Sequence, residues 1–227
     1  MKRAAVALAL AFAVLTPASA GAAVLYDQSA TVDSSEAVSS RENGSASSIS
    51  QAADDFTVPA GLPWSVTSIE VPGGRVSGDT MSVFVYLDAG GFPGPQVFSQ
   101  AGIPIPVTAV APLTEAFPVS GLNLAPGHYW LSLQVHGVGV WDWYPVTPVR
   151  GLQAVYRTSG TSSPGPCFGN WGRLSVPNCG LAGHEADHDL GFTLLGSVPA
   201  LPAATHKCKK KKKKKKHHKK CKKKKHH

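Results

Sequence analysis

From Arg3 to His206 the chain has no lysine at all. Beyond Arg3 its only cations there are Arg41, Arg75, Arg150, Arg157 and Arg173, set against all 14 acidic residues, so the body carries about −9. A surface of that sign excludes the basic, aromatic-lined groove of a single-strand nucleic-acid binder, and no sequence-specific nucleic-acid contact is expected. Long apolar runs are missing too. The longest, Ala4 to Leu15, falls well short of the roughly 20 residues that cross a bilayer, so no transmembrane segment is expected. Nor does any window carry an apolar stripe of helical period with caps, and 23 glycines and 18 prolines punctuate the chain too often for long helices. A G-x-S-x-G elbow, a phosphate-cradling glycine loop and a Cys/His nucleophile pair are all absent, which leaves no ready machinery for acyl or phosphoryl transfer.

What is present begins with MKRAAVALALAFAVLTPASA, two cations ahead of a short apolar stretch, then Pro17 and a small-residue site at Ala18-Ser19-Ala20. This reads as a secretory signal peptide over residues 1–20, with Gly21-Ala22-Ala23 as a second cleavage choice. The expected localisation is secreted, extracellular or cell-surface associated. At the other end a Pro/Ala linker (199–206) leads into a Lys/His-rich tail over 207–227. Its fifteen lysines are Lys207, Lys209, Lys210, Lys211, Lys212, Lys213, Lys214, Lys215, Lys216, Lys219, Lys220, Lys222, Lys223, Lys224 and Lys225. Like charges at that density repel and no apolar group is large enough to seed a core, so the tail is expected to be disordered and to reach roughly 60 to 70 Å when stretched. Such a polycation binds polyanions by releasing their counterions. Anionic cell-wall polymers, anionic lipid headgroups and extracellular nucleic acid are the partners available outside a cell. Two competing readings are metal binding by His217, His218, His226 and His227 with Cys208 and Cys221, and folding back onto the acidic body.

Between these ends the pattern is that of strands. A Ser-rich entry (21–50) has too few large apolar groups to pack, and a β-domain is expected over 51–198. In TMSVFVYLD, Met81, Val83, Val85 and Leu87 share one face and Ser82, Phe84, Tyr86 and Asp88 the other. In HYWLSLQVH, Tyr129, Leu131, Leu133 and Val135 alternate with Trp130, Ser132, Gln134 and His136. SVTSIEV, LQAVYR and DLGFTLLG continue the series between turn residues, which predicts an all-β, antiparallel, jelly-roll-like sandwich rather than a barrel. Export permits disulfides, and Cys167 and Cys179 close a loop of about a dozen residues where regular structure looks poorest, so these two are expected to pair.

Three clusters are candidates for chemistry. HEADH, residues 184–188, spells H-E-x-x-H with Gly191 beyond it. A zinc hydrolase needs both imidazoles one helical turn apart and the glutamate on metal-bound water. The flanking glycines, and Leu194 where the longer motif has a third histidine, predict instead a non-helical polar loop, in which His184, His188 and Asp187 remain the metal candidates. Asp54 and Asp55 ahead of Phe56 invite calcium, with strand-edge hydrogen bonding as the alternative. In GVGVWDWYP, Trp141 and Trp143 share a face if extended, and with Tyr144 they are the candidate platform for stacking on sugar rings; the alternative is that they cover one end of the core.

The runs SQAADDFTVPAGLPWSVTSIEVPGG, VFVYLDAGGFPGPQVFS, LAPGHYWLSLQV, WDWY, C…W…C and DLGFTLLG, taken in order, resemble bacterial secreted β-sandwich domains of the choice-of-anchor type, over about residues 50 to 196. That resemblance implies an exported, jelly-roll-like domain with no agreed catalytic residues. Where such proteins often carry a hydrophobic sorting helix or a sorting domain, this chain has lysines. The sequence therefore points to a secreted, surface-retained, non-enzymatic β-sandwich binding carbohydrate or wall polymer, needing no cofactor. The alternative is a secreted metal-dependent hydrolase built on HEADH, to which zinc would belong, while calcium would belong to Asp54 and Asp55.

Overall fold

The period-two stretches form strands in whole or in part, LQAVYR only from Val155 onward and DLGFTLLG as two short strands interrupted at Gly191-Phe192. A computed structural model describes residues 21–33, 38–42, 49–74, 80–105, 113–137, 141–160, 166–177, 179 and 188–199, and among these there is no helix. The strands are β1 (Ala23–Asp27), β2 (Val38–Ser39), β3 (Arg41–Glu42), β4 (Ile49–Val58), β5 (Trp64–Gly74), β6 (Thr80–Asp88), β7 (Pro93–Pro104) and β8 (Leu113–Leu124). They continue with β9 (Gly127–His136), β10 (Asp142–Trp143), β11 (Pro145–Val146), β12 (Val155–Ser159), β13 (Gly172–Arg173), β14 (Asp189–Leu190) and β15 (Thr193–Ser197).

A six-stranded sheet runs β1-β15-β5-β10-β2, with β8 also on β5; a seven-stranded sheet runs β13-β12-β4-β3-β9-β6-β7. Pairing is antiparallel except between β3 and β9. The fold is an all-β, jelly-roll-like sandwich. Its core lies between the two sheets, where Val66, Ile69, Val71, Phe117 and Leu194 of one meet Phe56, Val83, Val85, Leu131 and Leu133 of the other, all buried. β6 and β9 pair along their length, Met81 opposite Val135 and Val85 opposite Leu131. One face of this pair thus enters the core, and the face holding Phe84, Tyr86, Ser132 and Gln134 turns away from the other sheet, where Tyr86, Ser132 and Gln134 are nonetheless buried.

Two strands break their own alternation. β5 buries Val66 and then Ile69 and Val71, because a bulge between Val66 and Ser68 shifts its register on β8. β8 answers at the same place, burying Phe117 and Val119 and then Leu122 and Leu124 across Gly121, whose φ of 76° suits glycine.

The Ser-rich entry corrects the expectation that it does not pack. β1 pairs with β15, Ala23 opposite Gly196. Val38 and Ser40 are buried, and the Ser40 hydroxyl donates to the Leu133 carbonyl and accepts from the Ala52 amide. Small hydroxyl residues supply the hydrogen bonds here while neighbouring strands supply the apolar surface. The expected boundary at residue 51 falls inside β4.

Cys167 and Cys179 are disulfide-bonded, with Cα atoms 5.5 Å apart. Gly172 passes directly over Cys167 Sγ, where any Cβ would collide. Closing this loop stabilises the fold by on the order of 3 kcal/mol in the chain-entropy account.

Candidate functional site

The outward face of the seven-stranded sheet carries a groove of about 370 Å³. Register builds it from residues far apart in sequence. Arg157 of β12 stands opposite Gln51 of β4, Gln134 of β9 opposite Ser82 of β6, and Tyr86 of β6 opposite Gln96 of β7. Glu42 and Ile49 face each other at one end, and Thr158, Ser159 and Gly169 complete the rim beside Phe84.

Aromatic rings run along one side. Phe84 stacks on Tyr86 with centroids 6.3 Å apart, and Trp171 meets Tyr86 edge-on at 6.1 Å. The Arg157 guanidinium lies 4.3 Å from the Trp171 ring centroid. Amides are held beneath them. Gln51 Nε2 donates to the Tyr86 hydroxyl at 2.9 Å, and its Oε1 accepts from Arg157 Nε at 2.9 Å and Nη2 at 2.5 Å. Gln134 Nε2 donates to the Ser50 carbonyl at 2.8 Å. Farther along, Ser82 Oγ and His136 Nε2 are 2.7 Å apart, and His136 Nδ1 lies 3.1 Å from Glu42 Oε2. Burial raises the Tyr86 phenol's pKa, against the Gln51 hydrogen bond and the Arg157 charge, so the hydroxyl keeps its proton. Tyr86, Gln51 and Gln134 are buried and form the floor, while Phe84 and Arg157 are half-buried and reachable from the groove, so one planar ring and one guanidinium over a polar floor suit a hydroxyl-rich ligand.

The sequence-derived platform lies elsewhere and points inward. Trp141 and Trp143 do share a face, with ring centroids 5.9 Å apart, but both are fully buried and Tyr144 is only 7% exposed. This corrects the expectation of an exposed stacking surface at Trp141, Trp143 and Tyr144. Room is made by glycine: a Cβ on Gly73 would stand 2.8 Å from the Trp141 ring. Partners are provided inside, the Trp141 indole donating to Glu115 Oε2 and the Trp143 indole to the Gly191 carbonyl, each at 2.7 Å.

Asp54 and Asp55 point to opposite sides of β4 and are consumed by donors. Asp54 Oδ2 accepts from Gln28 Nε2 and the Leu190 amide, and Oδ1 from the Asp55 amide. Asp55 Oδ1 accepts from the Leu152 amide, while Oδ2 lies 2.5 Å from His128 Nε2. Asp189 accepts from the Arg150 and Ala154 amides. Burial first, and the Asp189 charge second, raise the pKa of Asp54 well above the usual carboxylate range. Burial likewise pushes Asp189 up to about 7, with Asp55 adding to the shift. These carboxyls fasten β4 to β14 and to the chain after β11. Among the described residues no three His, Cys, Asp or Glu side chains gather as a metal site.

Of the HEADH cluster, His184, Glu185 and Asp187 lie outside the described residues, as does the lysine tail from Lys207 to Lys225. His188 is half-buried, its Nε2 3.8 Å from Asp33 Oδ2. Sequence reasoning missed Gln51, Phe84, Tyr86, Gln134, Arg157 and Trp171 as a group. The available signal was the non-core face of β6, which carries two rings where a solvated face would carry charge. Compared with family models, curated proteins and solved structures, the chain matches none of them.

Proposed function

We propose that the protein is a non-catalytic carbohydrate-binding β-sandwich, secreted and held at the cell surface by its polycationic tail. The observation that carries this reading is the groove across the seven-stranded sheet, lined by Phe84 and Tyr86 beside the amides of Gln51, Gln96 and Gln134, with Trp171 packed behind Tyr86 and Arg157. Sugar rings present apolar CH faces to aromatics and hydroxyls to amides, and this lining offers both within one cleft. The tail acts independently of that recognition: its lysines draw the protein to anionic wall polymers or other extracellular polyanions without a shaped pocket. The resemblance to choice-of-anchor domains, which are exported, agrees with this placement.

Neutral polysaccharides test the groove alone, because a lysine tail has no charge to neutralise on them. Full-length protein run through gels containing neutral wall and storage polysaccharides is expected to be retarded by at least one of them. Phe84→Ala should weaken that interaction by roughly tenfold, equivalent to about 1.4 kcal/mol. Retardation by none, or retardation indifferent to the Phe84 substitution, would remove the reading.

A further inference from the structure

Arg157 is unusual among the groove residues. It is half-buried, and burial pulls its pKa below the ordinary arginine value, with only the Tyr86 phenol set against that shift. Arginines removed from water are ordinarily matched by a carboxylate. Among the described residues none stands within ion-pair distance of Arg157: its polar contacts are the two bonds to Gln51 Oε1, and its face lies on Trp171. The one acid lining the groove, Glu42, is paired with His136.

The geometry of the guanidinium says which edge is in use. Nε and Nη2 both donate to Gln51, so the Nη1 side, together with the second Nη2 proton, has no acceptor among the described residues. Those donors form a flat fork, which matches the two oxygens of a carboxylate in one plane. Stacking on Trp171 and the bonds to Gln51 hold the fork in place before a ligand arrives. Little side-chain freedom is then left to lose on binding.

We propose that the groove takes a sugar bearing a carboxylate, a uronic acid within a polysaccharide, with Arg157 gripping the acid group while the ring of Phe84, backed by Tyr86, carries the adjoining residue. This rests on the carbohydrate reading and adds its chemical class. The two ends of the groove differ in charge, so the ligand also has a direction. Its carboxylate lies at the β12 side, and its hydroxyls lie toward Glu42 and His136, where a second acid group would meet a carboxylate.

The test uses full-length protein and short ligands, calorimetrically titrated: trigalacturonate, its methyl ester, and a sulfated neutral trisaccharide. The tail is identical in every variant, so differences between variants read Arg157. Wild type is expected to bind trigalacturonate about tenfold or more tighter than the methyl ester, the size of a charge-assisted hydrogen-bond pair. Arg157→Gln should reduce this preference about tenfold, to the part that the tail's attraction for a polyanion supplies. Arg157→Lys, which keeps the charge but loses the fork, should retain part of the preference, and it also serves if the glutamine variant fails to fold. Equal affinity for acid and ester in wild type, a preference undiminished in Arg157→Gln, or a loss on the sulfated sugar as large as that on trigalacturonate would each overturn the assignment. In those cases Phe84-dependent binding of the ester would still leave the carbohydrate reading standing. Binding of none of the three sinks both.

Discussion

Gly73 shows how one missing methyl group decides where two indoles go. A Cβ there would press on the Trp141 ring, which is wedged edge-on against Phe117 with centroids 6.2 Å apart and cannot swing aside. Gly73→Ala is therefore expected to cost about 1–3 kcal/mol, the usual penalty for overpacking a filled core. A urea midpoint that falls, with sugar affinity unchanged because the groove lies on the other sheet, is the expected outcome. The same contact explains what could be read in advance about this pair. Alternation put Trp141 and Trp143 on one face, and that holds. Alternation is blind to which face meets the core, and the residue that settles it, Gly73, lies in another strand brought alongside by pairing of β10 with β5. Arg157 was illegible for a related reason: five scattered arginines look alike until register sets one of them opposite Gln51.

At the scale of elements, β4 is fastened to β14 by carboxyls that are costly to ionise. Asp189 has its pKa pushed up to about 7 by burial, and Asp54 and Asp55 are raised as well, with burial the largest cause. A group whose pKa is higher folded than unfolded holds protons that the unfolded chain releases. Its stabilising contribution is complete below about pH 4 and is lost as pH rises through 7. Asp27 and Asp88 act the other way. Hydrogen bonds from Ser29 hold Asp27 low; for Asp88, burial pushes upward but is outweighed by bonds from Trp130 and Gly91. Their contribution is present above about pH 4 and lost below it. The urea midpoint is thus expected to be higher at pH 5 than at pH 8 and to fall again in stronger acid. Asp189→Asn should lower the midpoint at pH 5 and flatten the decline between 5 and 8; a decline as steep as in wild type would place the titrating group elsewhere. Strands themselves were largely legible. The alternation in β6 and β9 shows which side chains face the other sheet, although β9 is buried on both faces from Tyr129 to Val135 and Leu87 at the end of β6 is exposed. The bulge in β5 and the answering glycine in β8 were not legible, because each makes sense only against its partner. The entry strands were missed because β2 and β3 are two residues long and draw their apolar cover from elsewhere.

The whole molecule divides by charge, about −9 in the body against fifteen lysines in the last 21 residues. Under the proposed attachment, removing 207–227 should shift protein from the cell-bound to the medium fraction. A 1 M salt wash should release the full-length protein, since screening then shortens charge attraction to roughly 3 Å. Truncated protein that stays bound at high salt would assign attachment to the groove instead.

The order of strands in the six-stranded sheet also governs when the molecule can fold. β15, the last strand of the body, lies between β1 and β5, so the first strand has no neighbour until the last is delivered. Leu194, fully buried, seals Ile69 across that seam. A chain emerging from a membrane pore with its N-terminus leading would thus carry β1 unpaired for nearly its whole passage, and high contact order makes the final closure slow. Under the proposed secretion, the six-stranded sheet would stay open at this seam until β15 had cleared the membrane.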